Sequence, residues 1–117
     1  VLEVNGRPVG FSNLYDYKNG DYCFIGNVFI SHEQRKFGMG EKLVRSMMTL
    51  VFDEYGFQSA KASCFEFNEK AMRLYKRIGF VEYASEIRKN PEGKDVELIH
   101  LQYDLFRYVR EKKKGLF

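Results

Sequence analysis

At 117 residues, with 44% hydrophobic and 16% aromatic side chains, the chain has the size of one small domain and enough apolar material for a packed core. Nineteen basic against 16 acidic residues leave a net charge of +3 spread along the sequence, too even a balance to argue for a polyanionic partner. No apolar stretch approaches the ~20 residues of a membrane span and none reads as a signal peptide, so a cytoplasmic protein without membrane contact is expected.

Residues 1–4 alternate like a strand, so the numbered chain is expected to begin inside an element, truncated at its N-terminal side. Asn5-Gly6-Arg7-Pro8 follows, and because Asn-Gly tolerates positive φ, a hairpin to a second strand over 9–17 is predicted. Lys18-Asn19-Gly20-Asp21 is a second turn. The strand over 22–30 is mostly aromatic and β-branched, and Gly26 inside it signals a bulge or a close approach by another part of the chain.

From residue 40 to residue 55 the period changes. Leu43, Val44, Met47, Leu50 and Val51 fall at helical spacing, and Met48 and Phe52 widen the stripe. A helix apolar round most of its circumference must be buried, so this one is expected across the face of the sheet. Residues 59–67 read as the next strand, and the long helix before it makes a parallel crossover the economical connection. Asn68 opens a second helix with Ala71, Leu74, Tyr75 and Ile78 on one face, Glu69 in its first turn, Lys76 and Arg77 in its last, and Gly79 as its stop. Two closing strands over 80–87 and 96–106 are joined by a polar turn, and the tail 107–117 reads as a basic helix or a frayed end. Cys23 and Cys64 lie in apolar runs with no further cysteine at metal spacing, which predicts reduced core residues and no metal site.

The segment that carries chemistry is Ser31-His32-Glu33-Gln34-Arg35-Lys36-Phe37-Gly38-Met39-Gly40, set between a strand and a buried helix. A helix N-terminus presents unpaired N–H groups and the positive end of a dipole. Glycines let a phosphate approach the backbone, and Arg35 and Lys36 add charge beside it. Taken alone, this is equally the pattern of a glycine-rich turn with no ligand. It is followed, after the next strand, by Asn68-Glu69-Lys70-Ala71-Met72-Arg73-Leu74-Tyr75-Lys76-Arg77-Ile78-Gly79-Phe80.

The two segments together resemble the signatures of the GNAT superfamily of N-acetyltransferases, Arg/Gln-x-x-Gly-x-Gly/Ala and Asn-x-x-Ala-x-x-Leu-Tyr-x-x-x-Gly-Phe. Residues 88–106 look like the subgroup of ribosomal-protein N-terminal and spermidine acetyltransferases. The resemblance implies one α/β (α+β) domain over residues 1–117. It would have a mixed, mostly antiparallel sheet with one splayed parallel pair, a buried central helix and a second helix over the cofactor, without the strand and helices that usually open the fold. It implies acetyl transfer from acetyl-CoA to a primary amine, either a small molecule or a protein N-terminus or lysine, with no metal and with a homodimer left open.

By the same resemblance the pantetheine arm would pair with the backbone of Val28, Phe29 and Ile30. The pyrophosphate would meet Lys36, Phe37, Gly38, Met39, Gly40 and Glu41, with Arg35 beside it and Asn68 contacting the cofactor from the second helix. Tyr75 matches the family's usual proton donor to the leaving thiolate. Many relatives carry a glutamate base on a neighbouring strand, but Phe24 and Ser63 stand at the aligned positions and strand alternation is expected to point Glu66 elsewhere, which leaves a water chain or bulk solvent as the base. Neither His32 nor His100 has a partner at metal or triad spacing, so direct chemistry is expected of neither. Two other readings stay open: a non-catalytic acyl-CoA-binding module, which the missing glutamate would suit, and a nucleic-acid-binding accessory domain resting on Lys112-Lys113-Lys114 alone.

Overall fold

A computed structural model describes residues 2–4, 7–30 and 38–117. Among them the chain forms strands β1 (Leu2–Val4), β2 (Arg7–Lys18) and β3 (Tyr22–Ile30), helix α1 (Met39–Thr49), strand β4 (Ser59–Phe65), helix α2 (Glu69–Ile78), strands β5 (Val81–Lys89) and β6 (Asp95–Asp104), and helix α3 (Leu105–Lys113). The sheet order is β1-β2-β3-β4-β6-β5. Every neighbouring pair is antiparallel except β3 and β4, which the buried crossover helix α1 makes parallel. The predicted hairpin from β1 to β2 pairs Val4 with Arg7, and its turn residues Asn5 and Gly6 lie outside the described residues.

The core lies between the helices and one face of the sheet. Cys23 and Ile25 of β3, Ala60, Ala62 and Cys64 of β4, and Ile99, Leu101 and Tyr103 of β6 are buried against Leu43, Val44, Met47 and Met48 of α1 and Tyr75 and Ile78 of α2. Both cysteines are buried and free. Strand alternation turns Tyr22, Phe24, Lys61, Ser63, Phe65 and His100 to the opposite face, where they are half-buried.

Three boundaries differ from the sequence reading. The first helix does not run evenly from 40 to 55. After Thr49 it widens into a π-helical turn, Leu50–Glu54, closed by the Tyr55 N–H donating to the Leu50 carbonyl at 2.9 Å. Val51 and Phe52 stay buried there while Leu50, expected in the apolar stripe, is exposed. The fourth strand stops at Phe65, and the last at Asp104, whose carboxylate accepts from the Arg107 N–H at 2.8 Å and caps α3, so Leu105 and Phe106 are helical. The tail is thus a helix, held to the π turn by Asp53, which accepts from the Tyr108 hydroxyl at 2.8 Å and from Lys112 Nζ at 2.6 Å.

Candidate active site

β3 and β4 pair only through Tyr22↔Ser59, Cys23↔Ala60 and Phe24↔Lys61. Beyond Phe24 the register between the two strands ends while each keeps its outer neighbour: Phe29 and Ile30 pair with Phe11 and Gly10 of β2, and Ser63 to Phe65 pair with β6. The residues between Gly26 and Phe29 form a bulge against β2, because two steps along β2 match three along β3. Gly26 sits where this divergence starts. A Cβ there would run into the Tyr15 ring, so the close approach expected at this glycine is that of an aromatic side chain. The Ser12 hydroxyl also donates to the Gly26 carbonyl at 2.7 Å.

The divergence opens a cleft of about 500 Å³. Gly26 and Val28 line one wall, Ser63, Cys64 and Phe65 the other, with Asn68, Ala71 and Tyr75 of α2 at one end and Tyr15 at the other. It therefore runs from the helical layer through the sheet to the opposite face. A slot of mixed polar and apolar lining, with a strand edge that is unpaired among the described residues, fits an extended amide-bearing chain that can add to that edge as a strand would.

Gly38 is the N-cap of α1 with φ 69, a left-handed conformation that favours glycine, and it brings no side-chain cap. The helical ladder begins with the Lys42 N–H donating to the Gly38 carbonyl at 3.2 Å, so the N–H groups of Met39, Gly40 and Glu41 have no intrahelical partner. Among the described residues nothing comes within 4 Å of a Cβ at Gly38, whereas one at Gly40 would touch Leu74 of α2 at 3.5 Å. The Glu41 side chain accepts from Arg77 at 3.0 Å and from Arg45 at 3.3 Å, tying α1 to α2, and these guanidiniums, Arg77 foremost, hold its carboxyl below the usual range. Only its backbone is then free for a ligand. Arg35, Lys36, Phe37 and His32 lie outside the described residues.

Asn68 caps α2, its Oδ1 accepting from the Ala71 N–H at 3.2 Å, and still borders the cleft. Tyr75 is 4% exposed and faces the same space. Burial pushes its phenol far above the ordinary tyrosine range, with Cys64 and Tyr15 adding to the rise, so it stays protonated at neutral pH. That state is the one a proton donor needs.

The opposite face carries an arrangement the sequence reading missed. The Ser63 hydroxyl lies 2.6 Å from His100 Nδ1, and His100 Nε2 lies 3.4 Å from a carboxylate oxygen of Glu86. Three strands supply the three groups, because Ser63↔His100 is a register pair of β4 and β6 while Glu86 is two residues from Ala84, the partner of His100 on β5. In the tautomer that carries the ring proton on Nε2, that N–H faces the Glu86 carboxylate, which can only accept, and Nδ1 is the acceptor for the serine hydroxyl. No spacing in the sequence pointed to these contacts, because the two partners of His100 lie 37 and 14 residues away. Glu66 is exposed just beyond the end of β4.

The sequence pattern of the acetyltransferase (GNAT) family matches residues 1–80, more than half of the chain. The chain belongs to the GNAT acetyltransferase family. Solved structures share the GNAT fold well past residue 80. A spermidine N-acetyltransferase from Vibrio cholerae superposes with a TM-score of 0.84 at 17% identity, over 96% of this chain and 67% of that one. A ribosomal-protein-alanine N-acetyltransferase from Brucella melitensis gives 0.75 at 18% identity, over 90% and 67%. A GNAT family acetyltransferase from Elizabethkingia anophelis with acetyl-CoA bound gives 0.73 at 15% identity, over 88% and 72%. Against such neighbours this GNAT chain spans from 46% to 72% of their length. No curated protein matches its sequence at a significant level. Among the described residues no group of His, Cys, Asp and Glu is arranged to hold a metal ion, and no helix is long and apolar enough to cross a membrane.

Proposed function

We propose that the protein transfers the acetyl group of acetyl-CoA to a primary amine, borne by a small molecule or by a protein N-terminus or lysine. The observation that carries this reading is the cleft at the parted strands, which joins an unpaired β3 edge to a buried, protonated phenol. In this reading the backbone of Val28, Phe29 and Ile30 holds the pantetheine arm. The backbone of Lys36, Phe37, Gly38, Met39, Gly40 and Glu41 holds the pyrophosphate with Arg35 beside it, and Asn68 borders the cofactor. The cosubstrate supplies an activated acetyl thioester. Backbone N–H groups near Phe29 and Ile30 stabilise the oxyanion formed when the amine attacks, and Tyr75 gives the departing thiolate its proton.

The test is release of coenzyme A thiol from acetyl-CoA by the full chain in the presence of spermidine or of a short peptide with a free amino terminus. Amine-dependent release supports the reading, and none from a folded protein that binds acetyl-CoA sinks it. That second outcome is what a non-catalytic acyl-CoA-binding module would give, a reading favoured by Phe24 and Ser63 standing where a glutamate base is expected.

A further inference from the structure

We infer that Ser63, His100 and Glu86 form a proton relay that deprotonates the incoming amine on the sheet face opposite the helices. The inference rests on the acetyl-transfer reading above and fills the place of the missing glutamate. Ser63 is the member that meets the acceptor, since it lines the cleft that also contains Tyr75. His100 acts through Ser63 as the base, and Glu86 is a positioning residue that keeps the ring proton on Nε2.

The surroundings fit a group that must charge and discharge. His100 is a half-buried ring whose side chain keeps 17% of its exposure, enough to return a proton to solvent. The Phe24 ring lies 6.3 Å away edge-on, and that of Tyr83 6.0 Å away. Three charged groups stand around it: Glu86, the Arg88 paired with Glu86, and Lys61. The Glu86 carboxylate faces Nε2 and is itself held ionised by Arg88 and His100. The Lys61 ammonium lies 4.3 Å over the Tyr22 ring and 4.6 Å over that of Tyr83. The neutral titratable neighbours are the phenols of Tyr15, Tyr22 and Tyr83. Burial raises Tyr15, with Asp16 adding and the adjacent Ser63 hydroxyl working the other way.

The protons balance as follows. An acceptor arriving as an ammonium gives one proton to Ser63 Oγ while the serine's own proton passes to His100 Nδ1, leaving a neutral amine, an intact hydroxyl and an imidazolium facing Glu86. The amine attacks the thioester carbon. When the C–S bond breaks, Tyr75 protonates the sulfur, and one of the two protons on the attacking nitrogen restores the phenol while the other stays as the amide N–H. The imidazolium then loses its proton to water, so one proton is released per amide formed.

The experiment uses the full chain, acetyl-CoA and spermidine or the free-amino peptide. His100→Gln should keep the thermal shift produced by acetyl-CoA and lose about 100-fold in kcat/KM at neutral pH. It should regain rate as the pH rises toward the amine's own pKa, where the acceptor arrives neutral, a recovery that mere structural damage would not give. Ser63→Ala, which removes one hydroxyl, should show the same recovery. Glu86→Gln should lower kcat/KM at neutral pH and show the same recovery at high pH, with the acetyl-CoA shift intact. Equal pH profiles for wild type and both His100→Gln and Ser63→Ala, with the acetyl-CoA shift intact, would overturn the relay and leave acetyl transfer standing. A wild-type protein that acetyl-CoA does not stabilise, or that turns over no amine, overturns both.

Discussion

Three single positions test the site directly. Tyr75 is buried and aimed into the cleft, so Tyr75→Phe removes only a hydroxyl. With thiolate protonation lost, kcat should fall by about 100-fold while acetyl-CoA still stabilises the variant, and an unchanged rate would remove Tyr75 from the mechanism. Nothing among the described residues crowds a side chain at Gly38, but its φ is 69, so Gly38→Val does not leave the fold untouched as its exposed position alone would suggest. Left-handed backbone costs an L-residue roughly 1–2 kcal/mol, so Gly38→Ala is the gentler probe. It should lower the Tm by a few degrees and weaken coenzyme A binding further, and unchanged affinity would dissociate this loop from the pyrophosphate. At Gly26 the obstacle is packing: Gly26→Ala must displace the Tyr15 ring, at a cost of about 1–3 kcal/mol readable in urea unfolding.

At the scale of elements, the contact between the π turn and α3 is the most exposed to test. Tyr108 is 1% exposed, stacks on Phe52 with ring centroids 4.6 Å apart, and donates to Asp53. Asp53→Ala would leave that buried hydroxyl with only Thr49 Oγ1 at 3.5 Å, a loss of about 1–3 kcal/mol. Hydrogen bonds from Lys112 first and Tyr108 next hold the Asp53 carboxyl below its ordinary range. A depressed carboxylate contributes stability that is present above the unfolded-state pKa and lost as pH falls through the lower folded-state value. The Tm difference between wild type and Asp53→Asn should therefore be widest near neutral pH and shrink below about pH 4. A difference that persisted in acid would mean that the charge is not what holds α3 there. Because Lys112 is engaged in this contact, the basic tail also serves the fold, which weakens the case for a nucleic-acid surface built on residues 112–114.

For the whole molecule, the decisive quantity is linkage between ligand and folding. Acetyl-CoA at about 100 times its dissociation constant should stabilise the folded chain by about 2.7 kcal/mol, a rise of several degrees in Tm for a domain of this size. Coenzyme A should give a similar rise, since most of the proposed contacts are to the parts the two share. Spermidine alone should give far less. A rise with spermidine and none with acetyl-CoA would reverse the assignment of the cleft.

The sequence by itself determined the elements whose signals are local. β3 runs from Tyr22 to Ile30 as its aromatic and β-branched run predicts, and α2 lies between the Asn68 cap and the Gly79 stop because capping chemistry is written within a few residues. The strand, glycine-rich loop and buried helix in that order also set the crossover, and with it the parallel pair. Tertiary structure decided what depends on partners far along the chain. The end of the apolar helix became a π turn where Asp53 meets α3, and Leu105 and Phe106 left the last strand once Asp104 capped that helix. Above all, β4, β5 and β6 had to take their register before Ser63, His100 and Glu86 could meet. A slip of one residue would send each side chain to the other face, and register is fixed by burying Ala62, Cys64, Ile99 and Leu101 together, a choice made by the core rather than by any neighbour in sequence.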